Sequence, residues 1–166
     1  MIRMAIIGAG HWGPNLLRNF HNRQRSEVMW VVDRDPDRLA QVRERFPDVR
    51  TADDAAAALH DPQVDAVVVA TPTSTHYPLA KAALELGKHV LVEKPMALDL
   101  VDCEAMIAAC RSAGVALVVG HSHSFDAPIR RTREIATRGE FGAVRLVQSL
   151  NYTDFLYRPR RPEELP

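Results

Sequence analysis

Short apolar runs and amphipathic stretches alternate along most of this chain. Met4 to Ile7 is apolar and too short for a helix, and residues 14–23 then read as one. Residues 27–32 form a second apolar run. Leu39, Val42 and Phe46 recur at helical spacing over 36–46, and Pro47 closes that segment. A weak third strand at 49–51 leads into an alanine-rich helix over 53–59, with Asp53 and Asp54 at its positive end. Residues 64–70 read as a central parallel strand covered on both faces. A helix follows to Leu86 and stops at Gly87, with Ser74 or Thr75 as its expected cap, and 89–92 is a fifth strand. Residues 99–113 make a helix capped by Asp99 and ended by Gly114, and 115–119 make a sixth strand. Six strands alternating with helices predict an α/β fold, a doubly wound parallel sheet over residues 1–120.

Residues 121–166 predict the beginning of a second, incomplete α/β domain. A basic helix spans 129–138 and ends at Gly139. A strand over 143–150 puts Val144, Leu146 and Gln148 on one face and Arg145, Val147 and Ser149 on the other. Without neighbours, that strand would present an apolar edge inviting self-pairing or disorder. Residues 151–166, with three prolines and Arg158, Arg160 and Arg161, read as an irregular basic loop.

The candidate chemistry lies in the turns. Gly8, Gly10 and Gly13 follow the first strand at G-x-G-x-x-G spacing. Gly8 permits a tight turn, Gly10 lets a pyrophosphate approach the backbone, and Gly13 lets the helix pack close to the strand. The N-H groups and dipole of that helix start favour phosphate, and Pro14 in the first turn surrenders an N-H without a helical partner. The second strand ends at Asp33, placed to accept hydrogen bonds from an adenine-ribose diol, while Asp35 before Pro36 suits a helix cap. These features predict a dinucleotide cofactor. At the end of the fourth strand, His76 stands either as a lining of the cofactor cleft or as a structural hydrogen-bonder. Lys94, at the end of the fifth strand, is placed to polarise a substrate hydroxyl or carbonyl. Tyr77 and Lys81 match a Tyr-x-x-x-Lys spacing but read as ordinary positions of an amphipathic helix. His121 and His123, two apart, are candidate substrate contacts. No third ligand completes a metal site with them.

Composition narrows the class. The 166 residues contain 21 Lys plus Arg and 21 Asp plus Glu, so no overall field draws nucleic acid or an anionic membrane. Two cysteines, Cys103 and Cys110, lie seven apart on one helix, too far to bridge, and suit a reducing cytoplasm as small buried thiols.

Gly8-x-Gly10-x-Trp12-Gly13, Asp33, Ala70-Thr71-Pro72-x-x-x-His76 and Glu93-Lys94-Pro95, in this order and spacing, resemble the Gfo/Idh/MocA family over nearly the whole chain. The resemblance implies an NAD(P)-binding Rossmann domain followed by an α/β domain supplying substrate pocket and oligomer interface. It implies that Gly8, Gly10, His11, Trp12 and Gly13 form the pyrophosphate turn, and that Asp33 and Arg34 face the adenine ribose. Thr71, Pro72 and His76 take the nicotinamide side. Glu93 joins the cofactor residues, and Lys94 contacts substrate and assists proton transfer. NAD is the expected cofactor, with NADP left open because Asp33 would repel a 2′-phosphate whereas Arg34 would stack on adenine or bind that phosphate.

Relatives are expected to be longer, with a catalytic Asp-x-x-x-His motif in the additional part. Many carry arginine where this chain has Ser124. Residues 120–128 and 151–165 are also similar to family members acting as 4,5-dihydroxyphthalate or phthalate dihydrodiol dehydrogenases. The resulting expectation is a homo-oligomeric dehydrogenase acting on a small-molecule sugar, cyclitol or cyclic dihydrodiol. The alternative is a non-catalytic NAD-binding or assembly module.

Overall fold

The computed structural model describes residues 1–150, so the expected loop over 151–166 lies outside the described residues. The described residues divide into two compact units, Met1–Ser122 and a second that begins at His123. The first holds strands β1 (Ile2–Ile7), β2 (Ser26–Val32), β3 (Arg50–Ala52), β4 (Ala66–Val69), β5 (His89–Val92) and β6 (Leu117–Val119). Its helices are α1 (Gly13–His21), α2 (Pro36–Arg45), α3 (Ala56–Leu59), α4 (His76–Glu85) and α5 (Leu100–Ala113). The six strands pair in parallel in the order β3-β2-β1-β4-β5-β6, which is the doubly wound topology. The order of strand addition reverses between β1 and β4, and ligands of such sheets bind outside the carboxyl ends of the strands at that point.

Alternation along each strand divides the core between the two faces. Ala5, Ile7, Val67, Val69, Val90 and Val92 point toward α3, α4 and α5, where Ala80, Leu84 and Met106 meet them. Met4, Ile6, Val31, Ala66 and Val68 point the other way, onto Leu17 of α1 and Leu39 and Val42 of α2. Burying one such aliphatic side chain is worth about 2 kcal/mol. Both faces of β1 and β4 are therefore anchored, and the turns that leave them start from rigid positions.

Helix ends follow local chemistry. The Asp35 carboxylate accepts from the N-H groups of Asp37 and Arg38, and the Asp99 carboxylate accepts from Val101 N-H. Gly114 ends α5 with φ 67°, a left-handed conformation that glycine adopts without strain. The expected helix over 53–59 shortens to Ala56–Leu59, because Asp54 accepts from Ala56 N-H and so starts the helix later. β4 begins at Ala66 because Asp65 leaves the apolar pattern. Its carboxylate takes Arg3 Nε at 3.1 Å and Arg3 Nη2 at 2.8 Å, and this pairing lowers its pKa to about 2. Nearby, the Lys88 ammonium is buried and donates to the carbonyls of Asp61 and Val64, and burial lowers its pKa. Asp61 accepts from Trp30 Nε1 and Arg50, which together hold its carboxyl below the usual range. These contacts lock the amino end of the sheet, away from the strand ends that carry the site.

Two expectations need correction here. The strand over 143–150 does not form: these residues make no ladder, and all are exposed. Val144 and Leu146 lie on one face of the expected strand and Val147 on the other, so neither face gathers a buried surface, and no described strand pairs with it. The thiols are half-buried rather than buried, and Cys110 Sγ donates to the Val115 carbonyl at 2.9 Å. In the second unit, helix α6 (Ala127–Arg138) ends at Gly139 with φ 70°.

Candidate cofactor cleft

The β1–α1 turn is built around absent side chains. Gly8 has φ 103°, and a Cβ there would meet the Ala70 carbonyl oxygen at 2.6 Å, so neither conformation nor space admits a side chain. A Cβ on Gly13 would overlap the Gly8 carbonyl oxygen and lie 2.9 Å from its carbon, which sets how closely α1 approaches β1. Gly10 differs. Its missing Cβ faces only the end of the Arg38 side chain, at 3.4 Å, so the turn is open at that position to an incoming group. α1 begins at Gly13 with Pro14 in its first turn; Asn15 and Leu16 N-H already donate to the Trp12 carbonyl, so what this helix start offers beside the opening is the positive end of its dipole. This cradle fits a pyrophosphate.

Beside it lies a cleft of about 780 Å³ at the carboxyl ends of the strands. Its walls include Gly8, Gly10, Asp33, Arg34, Thr71 and Pro72, so the structure brings these six sequence candidates together. Asp33 does more than face a ligand. Its Oδ2 accepts from Ala9 N-H at 2.6 Å and its Oδ1 from Asp35 N-H at 2.9 Å, joining the glycine turn to the β2–α2 turn. Oδ2 also takes Arg38 Nη1 at 3.4 Å, and Oδ1 keeps its second lone pair for a diol.

Arg38 is a cleft residue that sequence reasoning treated only as part of α2. Its guanidinium lies 3.4 Å from Asp33 Oδ2 and 3.2 Å from Asp35 Oδ2. Asp53 and Asp54 also line the cleft. The signal available for Arg38 was its position in the first turn of the helix leaving Asp33, where side chains reach back toward the strand ends.

The other candidates stand apart from the cleft walls. His11 and Trp12 are exposed on the turn, their rings edge to face at 5.6 Å. Lys94 is exposed beyond β5, following Glu93, whose carboxylate packs where a Gly120 Cβ would lie at 3.2 Å. His121 lies near the end of the first unit after β6, its N-H donating to the Val119 carbonyl. His123 belongs to the second unit, with Nδ1 3.0 Å from Asp126 Oδ2.

His76 is 1% exposed. Nδ1 lies 2.8 Å from the Pro95 carbonyl oxygen and Nε2 2.9 Å from that of Thr71, which is the structural hydrogen-bonding alternative. The expected capping of α4 by Ser74 or Thr75 does not occur. Thr75 has helical dihedrals rather than the extended ones a cap requires. Thr71 donates its hydroxyl proton to Thr75 Oγ1, leaving the Thr75 proton for the Pro72 carbonyl, each at 2.7 Å.

The family description "Oxidoreductase family, NAD-binding Rossmann fold", that of Gfo/Idh/MocA, matches residues 2–121. The chain belongs to this family. A Gfo/Idh/MocA relative from Comamonas testosteroni, 1-carboxy-3-chloro-3,4-dihydroxycyclohexa-1,5-diene dehydrogenase, is 44% identical over 99% of this chain and 41% of its own length. The myo-inositol 2-dehydrogenase of Thermotoga maritima is 31% identical over 85% of this chain and 42% of its own length. Among solved structures, GenD2 from gentamicin A biosynthesis, in complex with NAD, superposes with a TM-score of 0.78 at 33% identity, covering 84% of this chain and 40% of that one. The chain thus spans about two-fifths of the length of these Gfo/Idh/MocA relatives. No helix among the described residues is long and apolar enough to cross a membrane.

Proposed function

We propose that this chain is the cofactor-binding part of an NAD-preferring dehydrogenase that oxidises a secondary alcohol carbon of a sugar, cyclitol or cyclic dihydrodiol. The observation that carries the reading is the open Gly10 position between two glycines that admit no side chain, facing a cleft whose other wall holds Asp33. Gly8 and Gly13 shape the pyrophosphate turn, and Asp33, fixed by two N-H groups, presents its remaining lone pair to the adenine-ribose diol. Asp33, Asp53 and Asp54 against Arg34 and Arg38 make this end acidic, and Arg38 is already engaged by two carboxylates. That balance disfavours a 2′-phosphate and supports NAD over NADP. Bound NAD supplies the acceptor for the hydride leaving the alcohol carbon.

Lys94 is assigned the substrate hydroxyl. Its ammonium hydrogen-bonds the oxygen and favours its deprotonated form as the hydride departs, and the hydroxyl proton passes to the histidine of the Asp-x-x-x-His motif expected in the additional length of the relatives. Thr71 and Pro72 shape the nicotinamide side of the cleft, and His11, Trp12 and Glu93 complete its surroundings. His121 and His123 are assigned to the substrate region. The 44% identical relative is named for a carboxylated cyclic diol, which supports the dihydrodiol class within this range. A homo-oligomer in a reducing cytoplasm completes the reading. The non-catalytic alternative has no observation of its own in its favour.

The test is a dehydrogenase assay following NADH formation with polyols, sugars and carboxylated dihydrodiols, on the protein at its relatives' full length. Lys94→Met lowers kcat about a hundredfold or more while NADH affinity is retained. An unchanged kcat in this variant contradicts the role given to Lys94.

A further inference from the structure

The His76 ring is buried, and both of its nitrogens sit at hydrogen-bonding distance from carbonyl oxygens of different loops. One is Thr71, in the turn after β4 that lines the cleft. The other is Pro95, immediately after Lys94 in the loop that leaves β5. β4 and β5 are neighbours in the sheet, with Val69 opposite Val92. Their pairing extends only one step further, through Glu93 N-H to the Val69 carbonyl at 2.9 Å. Past that point the imidazole bridges the two loops.

We propose that His76 is a positioning residue, a strut that holds the nicotinamide-side turn at Thr71 and the Lys94 loop at a fixed separation. The inference rests on the roles proposed above for the cleft and for Lys94, and adds what keeps them in register. Both neighbours are carbonyl oxygens, which only accept, so a ring N-H donates to one loop while the packed ring spaces it from the other. A carbonyl left without its donor in this buried place loses a hydrogen bond and loosens its loop. Because Thr71 belongs to the nicotinamide side, while Gly10 and Asp33 serve the pyrophosphate and adenosine, the consequence falls on one half of the cofactor.

The experiment compares NADH with ADP-ribose, which has the adenosine and pyrophosphate but no nicotinamide, by titration calorimetry on the chain. His76→Phe fills the space without a donor, and His76→Asn keeps one. Amide hydrogen exchange reads the loops at Thr71 and Lys94 without any ligand. The strut predicts NADH binding weakened about tenfold in His76→Phe, the worth of one buried hydrogen bond, with ADP-ribose binding within about twofold of wild type and partial recovery in His76→Asn. It also predicts faster exchange in both loops of His76→Phe, with the rest of the sheet unchanged. Equal weakening of both ligands, unchanged NADH binding, or unchanged exchange in the two loops overturns it. Should His76→Phe fail to fold, the NADH to ADP-ribose ratio and the loop exchange in His76→Asn decide. If the folded wild type binds neither ligand, the cofactor reading fails, and the exchange result still judges the strut by itself.

Discussion

Substituting alanine at Gly13 and at Gly10 separates packing from binding within one turn. At Gly13 the new methyl overlaps the Gly8 carbonyl oxygen and presses within 2.9 Å of its carbon. Both obstacles are backbone, so no rotamer change relieves them. α1 must retreat from β1 or the turn must deform, although Gly8 is itself held against the Ala70 carbonyl. Overpacking of this kind costs about 1–3 kcal/mol, and the better helix propensity of alanine returns less than about 1 kcal/mol at a first-turn position. The expected net loss is about 2 kcal/mol, a large share of a typical domain stability of about 5–15 kcal/mol. With a urea slope near ~2 kcal/mol/M, the midpoint falls by about 1 M. At Gly10 the methyl meets only the flexible end of Arg38, so the urea midpoint stays within error while NADH binding falls sharply, because the pyrophosphate would occupy the same space. Urea denaturation followed by circular dichroism, paired with NADH titration, reads both quantities. Gly10→Ala binding NADH as tightly as wild type would refute the assignment of the turn, and Gly13→Ala at full stability would refute the packing argument.

Two further predictions concern the amino end of the sheet. The pKa of Asp65 falls from 3.8 to about 2 on folding, so its stabilising contribution is present above pH 4 and disappears as pH falls toward 2. The pair with Arg3 is about one-third exposed, so screening limits the effect to about 1 kcal/mol, and Asp65→Asn should flatten acid denaturation within that window. Lys88→Met removes the donor from two buried carbonyls and should lower stability by about 2–3 kcal/mol with NADH affinity unchanged. A urea midpoint equal to wild type would show that those carbonyls find other partners.

Much of the architecture was legible because its signals are local. β5 falls at 89–92 as expected, since a short apolar run between Gly87 and Pro95 has no other reading. Asp35 and Asp99 cap their helices because an acidic side chain before the first turn supplies what the backbone lacks there. The glycine spacing located the turn and separated Gly10 from Gly8 and Gly13; the structure adds what a Cβ would meet at each, backbone at Gly8 and Gly13 and only the end of Arg38 at Gly10. What remained hidden depends on partners distant in sequence. Asp33 is bonded to Ala9 across 24 positions, His76 to Pro95 across 19, and Lys88 to Val64 across 24. Residues 143–150 show the opposite failure: their strand-like alternation was real, but a strand also needs a neighbour and a face to bury.

The central claim is that the β1–α1 turn and Asp33 form an NAD site, and the most direct measurement is parallel calorimetric titration with NADH and NADPH. It should be made on the wild type and on Asp33→Asn, which removes the charge while keeping an acceptor for Ala9 or Asp35. The account predicts NADH binding by the wild type, weaker NADPH binding, and a loss of NADH affinity together with a narrowed preference in the variant. A folded chain that binds neither cofactor, or that binds NADPH as tightly as NADH regardless of Asp33, would contradict it.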